Sequence, residues 1–153
     1  MENARFATID DLEAINAIAS TIAAGLPEQR GGSLFLRRES GGDAGVRAKA
    51  QIEAENGFAV VGTYDDVVFG YAIVEIETFD DDGLMARIDD LAVDAEIRGS
   101  GVGEAIMNLV MDTARERGCF GIDSRALPGD RHTKNFFESF GLKARMLVVH
   151  KTL

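Results

Sequence analysis

Apolar residues recur at two spacings along the chain, and these spacings predict the order of its elements. Helical spacing marks a segment that begins after Asp10 and stops at Gly25, residues 46–55, residues 104–117, and a short stretch around Phe136. Runs rich in β-branched and aromatic residues mark strands at residues 5–9, 58–64, 67–77, 84–93, 121–126 and 143–152. The predicted order is therefore βααβββαβαβ, without an internal repeat.

Local signals refine these elements. Asp10 followed by Glu13 resembles a capping box, and Asp43 is a candidate cap for the second helix. Asp65-Asp66 predicts a hairpin, and residues 79–83, with Asp80-Asp81-Asp82, predict a solvated turn. Residues 28–45 are rich in glycine and charge without a sustained period, which predicts a mobile segment that folds over a substrate.

The strand order sets the fold class. Three consecutive strands are expected to pair antiparallel, and the helix at residues 104–117 must cross over to a parallel strand. We therefore expect one α/β (α+β) domain over residues 1–153, with a mixed, mostly antiparallel sheet and helices on both faces.

Composition excludes several classes of protein. A net charge of -10 over 153 residues argues against nucleic-acid binding. No apolar run approaches the roughly 20 residues that cross a bilayer, and no secretory signal is visible. The single cysteine, Cys119, fits a reducing compartment. We expect a cytoplasmic protein without membrane or nucleic-acid partners.

A glycine-rich turn is the most informative motif. Arg98-Gly99-Ser100-Gly101-Val102-Gly103 follows the apolar run Leu91-Ala92-Val93 and opens an amphipathic helix. Backbone N–H groups that no side chain covers, at a helix N-terminus, form a site for phosphate oxygens. The spacing departs from the dinucleotide fingerprint, and no Walker lysine follows Gly103. A tight structural turn is the alternative interpretation.

Arg98-x-x-Gly101-x-Gly103, preceded by Asp89-Asp90-Leu91-Ala92-Val93, resembles the acetyl-CoA signature of the GNAT superfamily of N-acyltransferases. Residues 136–142 resemble the family's closing helix, so the likeness covers nearly the whole chain. The resemblance implies a GNAT-like domain that uses acetyl-CoA as cosubstrate. It assigns cofactor binding to Leu91, Ala92, Val93, Arg98, Gly99, Ser100, Gly101, Val102 and Gly103, with Asn135 and Phe136 as further candidates.

Acetyl transfer to an amine requires a group that takes the amine's proton. Asp89 and Asp90 are the candidates by position, with Glu75 as a helper; solvated or ion-paired acids are the alternative. Since adjacent strand residues face opposite sides, only one aspartate should reach a given cleft, and we favour Asp89. Phe137 occupies the place of the family's acid, a tyrosine, so water could supply the proton. Tyr71 or Tyr64 could substitute, although strand packing is the alternative role for both.

The resemblance implies acetyl transfer from acetyl-CoA to a primary amine of a small molecule or protein, by direct attack in a ternary complex. A non-catalytic acetyl-CoA-binding regulatory protein is the alternative. His132 and His150 lack spaced partners, so we expect no metal site. A homodimer formed through the strand at residues 143–152 is left open.

Overall fold

Five strands form one sheet in the order β1-β2-β3-β4-β5. The computed structural model describes residues 1–40, 42–81 and 83–153. Gly41, in the predicted mobile segment, and Asp82, in the predicted solvated turn, lie outside the described residues. The strands are β1 (Glu2–Phe6), β2 (Gly57–Tyr64), β3 (Val67–Phe79), β4 (Gly83–Val93) and β5 (Cys119–Asp123). The first four pair antiparallel and β5 runs parallel to β4, so the sheet is mixed as expected.

Helices cover both faces of this sheet. They are α1 (Leu12–Gly25), α2 (Gly32–Arg38), α3 (Ala44–Glu53), α4 (Val102–Glu116) and α5 (Arg131–Ser139). One core lies beneath α1 and α3 and includes Ile15, Ala48 and Tyr71. A second core lies beneath α4 and α5 and includes Ile106 and Phe137. Alternate residues of the central strands supply the two cores, as the two-residue period of a strand requires.

Most predicted elements are confirmed. The cap of α3 is also confirmed, since the Asp43 carboxylate accepts a hydrogen bond from the amide of Val46 at 3.0 Å. Asp65 and Asp66 both have positive φ, as a two-residue hairpin turn of the primed type requires. Among the described residues, no helix is both long enough and apolar enough to span a bilayer.

The start of the chain differs from the prediction. The first strand is Glu2–Phe6 rather than residues 5–9, and Ile9 lies in a 3-10 turn. The cap lies two residues earlier than expected, because the capping box consists of Thr8 and Asp11 rather than Asp10 and Glu13. The Thr8 amide donates to the Asp11 carboxylate at 2.8 Å, which ends the strand.

Residues 28–45 hold more regular structure than expected, because α2 lies within them. A 3-10 turn, Leu26–Glu28, leads into it. The close approach of these two elements depends on Gly32, since a Cβ there would lie 1.6 Å from the carbonyl oxygen of Leu26. The turn and α2 therefore pack closely against each other.

The predicted final strand is wrong for this structure. Residues 143–153 form no strand and pair with no other strand of the described chain, although Met146, Leu147, Val148 and Val149 are all exposed. Arg145 attaches the segment to Asp123 at the end of β5, through Nε–O distances of 3.0 Å. Dimerisation through this segment stays a prediction, and it lacks a preformed strand.

Candidate active site

The glycine turn leaves backbone donors uncovered at the start of α4. Gly99 and Gly101 have φ values of 82° and 91°, in the left-handed region that favours glycine. Gly101 is the N-cap residue of α4. Among the described residues, no group accepts a hydrogen bond from the amides of Gly99, Val102 or Gly103. These donors and the positive end of the α4 dipole provide a site for an anion.

Three side chains complete this turn. The hydroxyl of Ser100 is buried without a hydrogen-bond partner in the described part of the chain. Arg98 is exposed and forms no ion pair with a described residue. The Phe136 ring lies against the turn, since a Cβ on Gly103 would stand 3.3 Å from its edge. Asn135 is exposed one residue before it. A buried orphan hydroxyl beside open amides fits a phosphate ligand.

An open strand edge leads away from the turn. The parallel ladder between β4 and β5 ends at the pair Arg87 and Asp123, although β4 continues to Val93. Within the described chain, the edge of β4 from residue 88 to residue 93 therefore has no strand partner on that side. Leu91, Ala92 and Val93 lie on this edge, where an extended amide ligand could add as a strand does.

A β-bulge brings Asp89 and Asp90 to the same side. Ile73 pairs with Asp90 and Val74 pairs with Ile88, so Asp89 is an extra residue in β4. Both carboxylates bind Arg47 of α3: Asp89 at 2.7 Å and Asp90 at 3.2 Å. The expectation that only one of the two could reach a given cleft is therefore wrong, because a bulge interrupts the alternation on which it rested.

Arginines surround Asp89. Its Oδ2 accepts from Arg47, its Oδ1 accepts from Arg87 at 3.2 Å, and Arg125 lies 3.5 Å from Oδ1. Arg125 also donates to the Asp89 carbonyl oxygen at 2.9 Å. Both carboxylate oxygens are thus occupied, and the side chain is 19% exposed. This carboxylate is held in place and has little capacity left for a ligand.

Asp90 keeps one free oxygen. Its Oδ2 accepts from Arg47 and from the Tyr71 hydroxyl at 2.7 Å, whereas no described residue donates to Oδ1. Burial, the charge of Asp90 and the hydrogen bond to it raise the pKa of Tyr71 far above its ordinary value. Tyr71 therefore stays protonated and acts as a donor to Asp90.

Glu75 is linked to Asp89 through Arg87. Arg87 binds Glu75, Glu77 and Asp89 together, with an Nε–O distance of 3.1 Å to Glu77. Glu75 does not line the pocket described below. Glu75 is thus connected to Asp89 through Arg87, and Glu75 itself lies outside the pocket that the two aspartates line.

A pocket of about 160 Å³ lies against the bulge, and we call it the acceptor pocket. Helices α1, α2 and α3 supply its apolar and polar walls, and β3 and β4 supply its charged end. Its lining residues are Asn16, Ala19, Ser20, Ile22, Ala23, Leu26, Phe35, Leu36, Ser40, Gly42, Asp43, Ala44, Arg47, Tyr71, Asp89 and Asp90. Part of the predicted mobile segment contributes to this wall, through Phe35, Leu36, Ser40, Gly42, Asp43 and Ala44. Its closure over a substrate stays a prediction.

Phe137 is a core residue. It is 7% exposed and packs with Ile106 and Val110 beneath α5. A phenylalanine offers no proton, and its ring does not line the acceptor pocket. No cluster of three or more metal-ligating side chains occurs among the residues that the structure describes.

Sequence and structure comparisons agree on the family. The model of the acetyltransferase (GNAT) family matches residues 30–142. The chain belongs to the GNAT acetyltransferase family. As a member of this family, the chain is an acyltransferase. Its fold is the one that the sequence resemblance implied. No curated protein matches the chain at a significant level.

Solved structures share this GNAT fold at low identity. A tetramutant of the BH1408 protein from Bacillus halodurans aligns with a TM-score of 0.81 and 19% identity, covering 98% of this chain and 99% of that one. Ribosomal-protein-alanine N-acetyltransferase from Brucella melitensis aligns with 0.72 and 15%, covering 100% and 99%. Aminoglycoside N-acetyltransferase AAC(6')-Iy in complex with CoA aligns with 0.69 and 16%, covering 100% and 95%. These similarities support the fold of the GNAT domain.

The sequence missed the arginines of the GNAT domain's site. Arg47 lies in a helix with weak amphipathic character, and Arg125 follows β5 in an irregular segment. Arg125 stacks over Phe35 at 5.1 Å from the ring centroid and donates to the Glu39 carbonyl oxygen at 3.3 Å. It thereby attaches α2 to the bulge. Nothing in the spacing of these residues along the chain indicates that they meet the aspartates.

Proposed function

We propose that this protein is an acetyl-CoA-dependent N-acetyltransferase that acts on a primary amine of a small molecule or protein. The observation that carries the proposal is the continuity of three features along β4. Asp90 lines the acceptor pocket, the open edge at residues 91–93 follows, and the turn with the orphan Ser100 hydroxyl comes next. Family membership makes acetyl transfer the chemistry that these features serve.

The glycine turn would hold the diphosphate of the cofactor. The amides of Gly99, Val102 and Gly103 and the Ser100 hydroxyl supply neutral donors, and the exposed Arg98 supplies a cation. The open edge of Leu91, Ala92 and Val93 would bind the amides of the pantetheine arm. Phe136 and Asn135 would border the same groove. When bound, acetyl-CoA supplies an acetyl thioester that the amine attacks directly.

Asp90 would receive the amine in the acceptor pocket. Its Oδ1 is the carboxylate oxygen at the bulge that no described residue occupies, so it can accept an N–H bond from an ammonium or amine. From that position Asp90 removes a proton from the amine, directly or through water, before the N–C bond forms. Asp89, which the sequence favoured for this role, positions Arg47 and the bulge instead.

The departing sulfur would take its proton from solvent. Phe137 has no hydroxyl, and the Tyr71 hydroxyl already donates its hydrogen bond to Asp90. A thiol with an ordinary pKa of about 8.5 leaves as a thiolate without a dedicated acid. The missing acid also motivates the second candidate, a regulatory protein that binds acetyl-CoA without turnover.

Calorimetry with acetyl-CoA tests the cofactor site. Gly101→Glu should abolish binding, because it places bulk and negative charge where the diphosphate would lie. Gly118→Glu is the matched control, since Gly118 has a similar φ of 81° at the opposite end of α4. Equal acetyl-CoA affinity of the two variants would overturn the proposed site.

Thiol release from acetyl-CoA with a panel of primary amines tests the activity. Steady release with at least one amine supports the enzyme. Saturable binding of acetyl-CoA with no release across alkylamines, diamines, amino sugars and lysine peptides supports the regulatory alternative.

A further inference from the structure

Arg47 is a fixed cation in the wall of the acceptor pocket. Its Nη1 donates to Asp89 at 2.7 Å and its Nη2 donates to Asp90 at 3.2 Å. Its Nε donates to the carbonyl oxygen of Gly42 at 3.2 Å, which fixes the plane of the guanidinium. The side chain is 18% exposed, so solvent screens these contacts only in part. The guanidinium therefore stays beside the carboxylates.

Arg47 stays charged throughout the physiological range. Burial lowers its pKa, but the hydrogen bond to Asp89 and the charges of Asp90 and Asp89 outweigh burial and raise it overall. Among the described lining residues it is the one cation, and it binds Asp89 and Asp90. The third lining aspartate, Asp43, caps α3 through the amide of Val46. Arg87 and Arg125 do not line the pocket but also bind Asp89. The described lining residues thus have a net negative charge that Arg47 reduces by one.

The charged end of the pocket has room for one ammonium group. Asp89 is saturated by Arg47 and Arg87, so only Oδ1 of Asp90 is available at the bulge. The fixed guanidinium of Arg47 lowers the attraction of these aspartates for a second ammonium on the same ligand. The remaining wall is apolar at Ile22, Leu26, Phe35 and Leu36 and polar at Asn16, Ser20 and Ser40. Among its described residues only Asp43 adds a further charge, so the wall suits a largely hydrocarbon body.

We propose that Arg47 determines acceptor specificity by selecting amines with a single positive charge and an apolar body over diamines of the same length. The proposal rests on the proposed function, since it assigns the acceptor to this pocket. Arg47 acts through charge: it neutralises one aspartate and repels a second ammonium. A neutral residue at this position would leave two adjacent carboxylates with one fewer cation and would favour a diamine.

The test compares n-pentylamine with 1,5-diaminopentane, which differ by one charge at equal chain length. Ionic strength is held constant, and both binding by calorimetry and thiol release are measured. Relative to the unaltered protein, Arg47→Gln should raise the diamine-to-monoamine ratio of affinity and of kcat/KM by about tenfold. Arg47→Lys should leave both ratios within about threefold, because it keeps the charge.

Arg117→Gln is the control for the loss of an arginine that donates to a backbone carbonyl oxygen elsewhere in the fold. Arg117 donates to the Gly57 carbonyl oxygen at 3.1 Å and stacks over Phe58, away from the pocket. An unchanged diamine-to-monoamine ratio in Arg117→Gln supports the inference. A rise in Arg117→Gln equal to that in Arg47→Gln overturns it. A ratio in Arg47→Gln equal to that of the unaltered protein also overturns it, while turnover with either amine leaves the proposed function standing.

If neither amine binds nor is acetylated by the unaltered protein, the inference is overturned. The proposed function is then tested separately by thiol release with the wider amine panel. Circular dichroism of each variant confirms that it is folded. Should Arg47→Gln fail to fold, Arg47→Met keeps the length of the aliphatic stem and replaces it in the comparison.

Discussion

The hydroxyl of Tyr71 donates to Oδ2 of Asp90 at 2.7 Å from a side chain that is 1% exposed. The two residues are diagonal neighbours across β3 and β4, since Tyr71 pairs with Ala92 and Asp90 pairs with Ile73 beside the bulge. The buried phenol thereby fixes one oxygen of Asp90 and leaves the other directed to a ligand.

Tyr71→Phe should lower the kcat of thiol release by about tenfold, because Asp90 loses the hydroxyl that fixes its Oδ2 and no longer holds its free oxygen toward the amine. Thiol release at saturating amine measures the change. Tyr64→Phe, which alters the chain's other tyrosine without touching this pair, should leave kcat in place. An unchanged kcat in Tyr71→Phe would contradict the assignment of Asp90.

Ser100→Ala separates cofactor binding from stability. Because the Ser100 hydroxyl is buried without a partner, its removal should leave the free energy of unfolding unchanged or raise it by up to about 1 kcal/mol. Acetyl-CoA affinity should fall by about tenfold, the value of one hydrogen bond to a charged ligand. Denaturant titration and calorimetry measure the two quantities. Unchanged affinity would remove Ser100 from the cofactor site.

Gly62→Ala tests how closely α4 approaches the sheet. A Cβ on Gly62 would lie 2.6 Å from the side chain of Ile106 and 2.7 Å from that of Val102. Both neighbours are fully buried, so the methyl group can be accommodated only by strain. We expect a loss of about 1–3 kcal/mol in the free energy of unfolding. Gly129→Ala, where a Cβ would meet nothing within 4 Å, should cost much less.

The architecture could be predicted because it follows from periodicity. The near-continuous apolar runs of β2 and β3 and the apolar face of α4 indicate a sheet covered on both sides, and the structure confirms it. The glycine turn was also visible, since positive φ at Gly99 and Gly101 demands glycine in the sequence. These features are local, so a single sequence contains them.

The charged end of the pocket could not be predicted, because it depends on long-range register. The pair Asp89-Asp90 contains no sign of a bulge, and without the bulge one of the two would point to the other core. Arg47 lies 42 positions before Asp89 and meets it only through the packing of α3 on the sheet. The residues 143–152 have strand composition, yet composition does not supply a pairing edge.

Asp11 should make stability depend on pH in the acidic range. Hydrogen bonds from Arg5 at 2.8 and 2.9 Å, followed by that from the Thr8 amide, hold the pKa of Asp11 below its ordinary value although burial opposes them. Because the folded pKa is lower than the unfolded value of about 3.9, the stabilisation is complete above that value. It is lost as pH falls through the folded pKa.

Asp11→Asn removes this pH-dependent contribution. At neutral pH the variant should lose about 1–3 kcal/mol in the free energy of unfolding, and the loss should shrink below about pH 4. Urea titrations at several pH values measure it. Asp10→Asn, at a neighbouring exposed residue, is the control and should change little. A loss that stays constant with pH would indicate that packing, rather than charge, explains the effect.

Asp90→Asn and Asp89→Asn should fail in different ways. Asp90→Asn replaces the carboxylate with an amide that cannot take a proton, so thiol release with a reactive amine should fall by about 10²–10⁴-fold while acetyl-CoA affinity and fold are kept. Asp89→Asn instead leaves Arg47 and Arg87 facing an uncharged amide, which should cost about 1–3 kcal/mol of stability. Its rate should fall less than that of Asp90→Asn at a temperature where both variants are folded. A larger loss of rate in Asp89→Asn under those conditions would return the role of base to Asp89, and the arginines around it would then have to release one of its oxygens during the reaction.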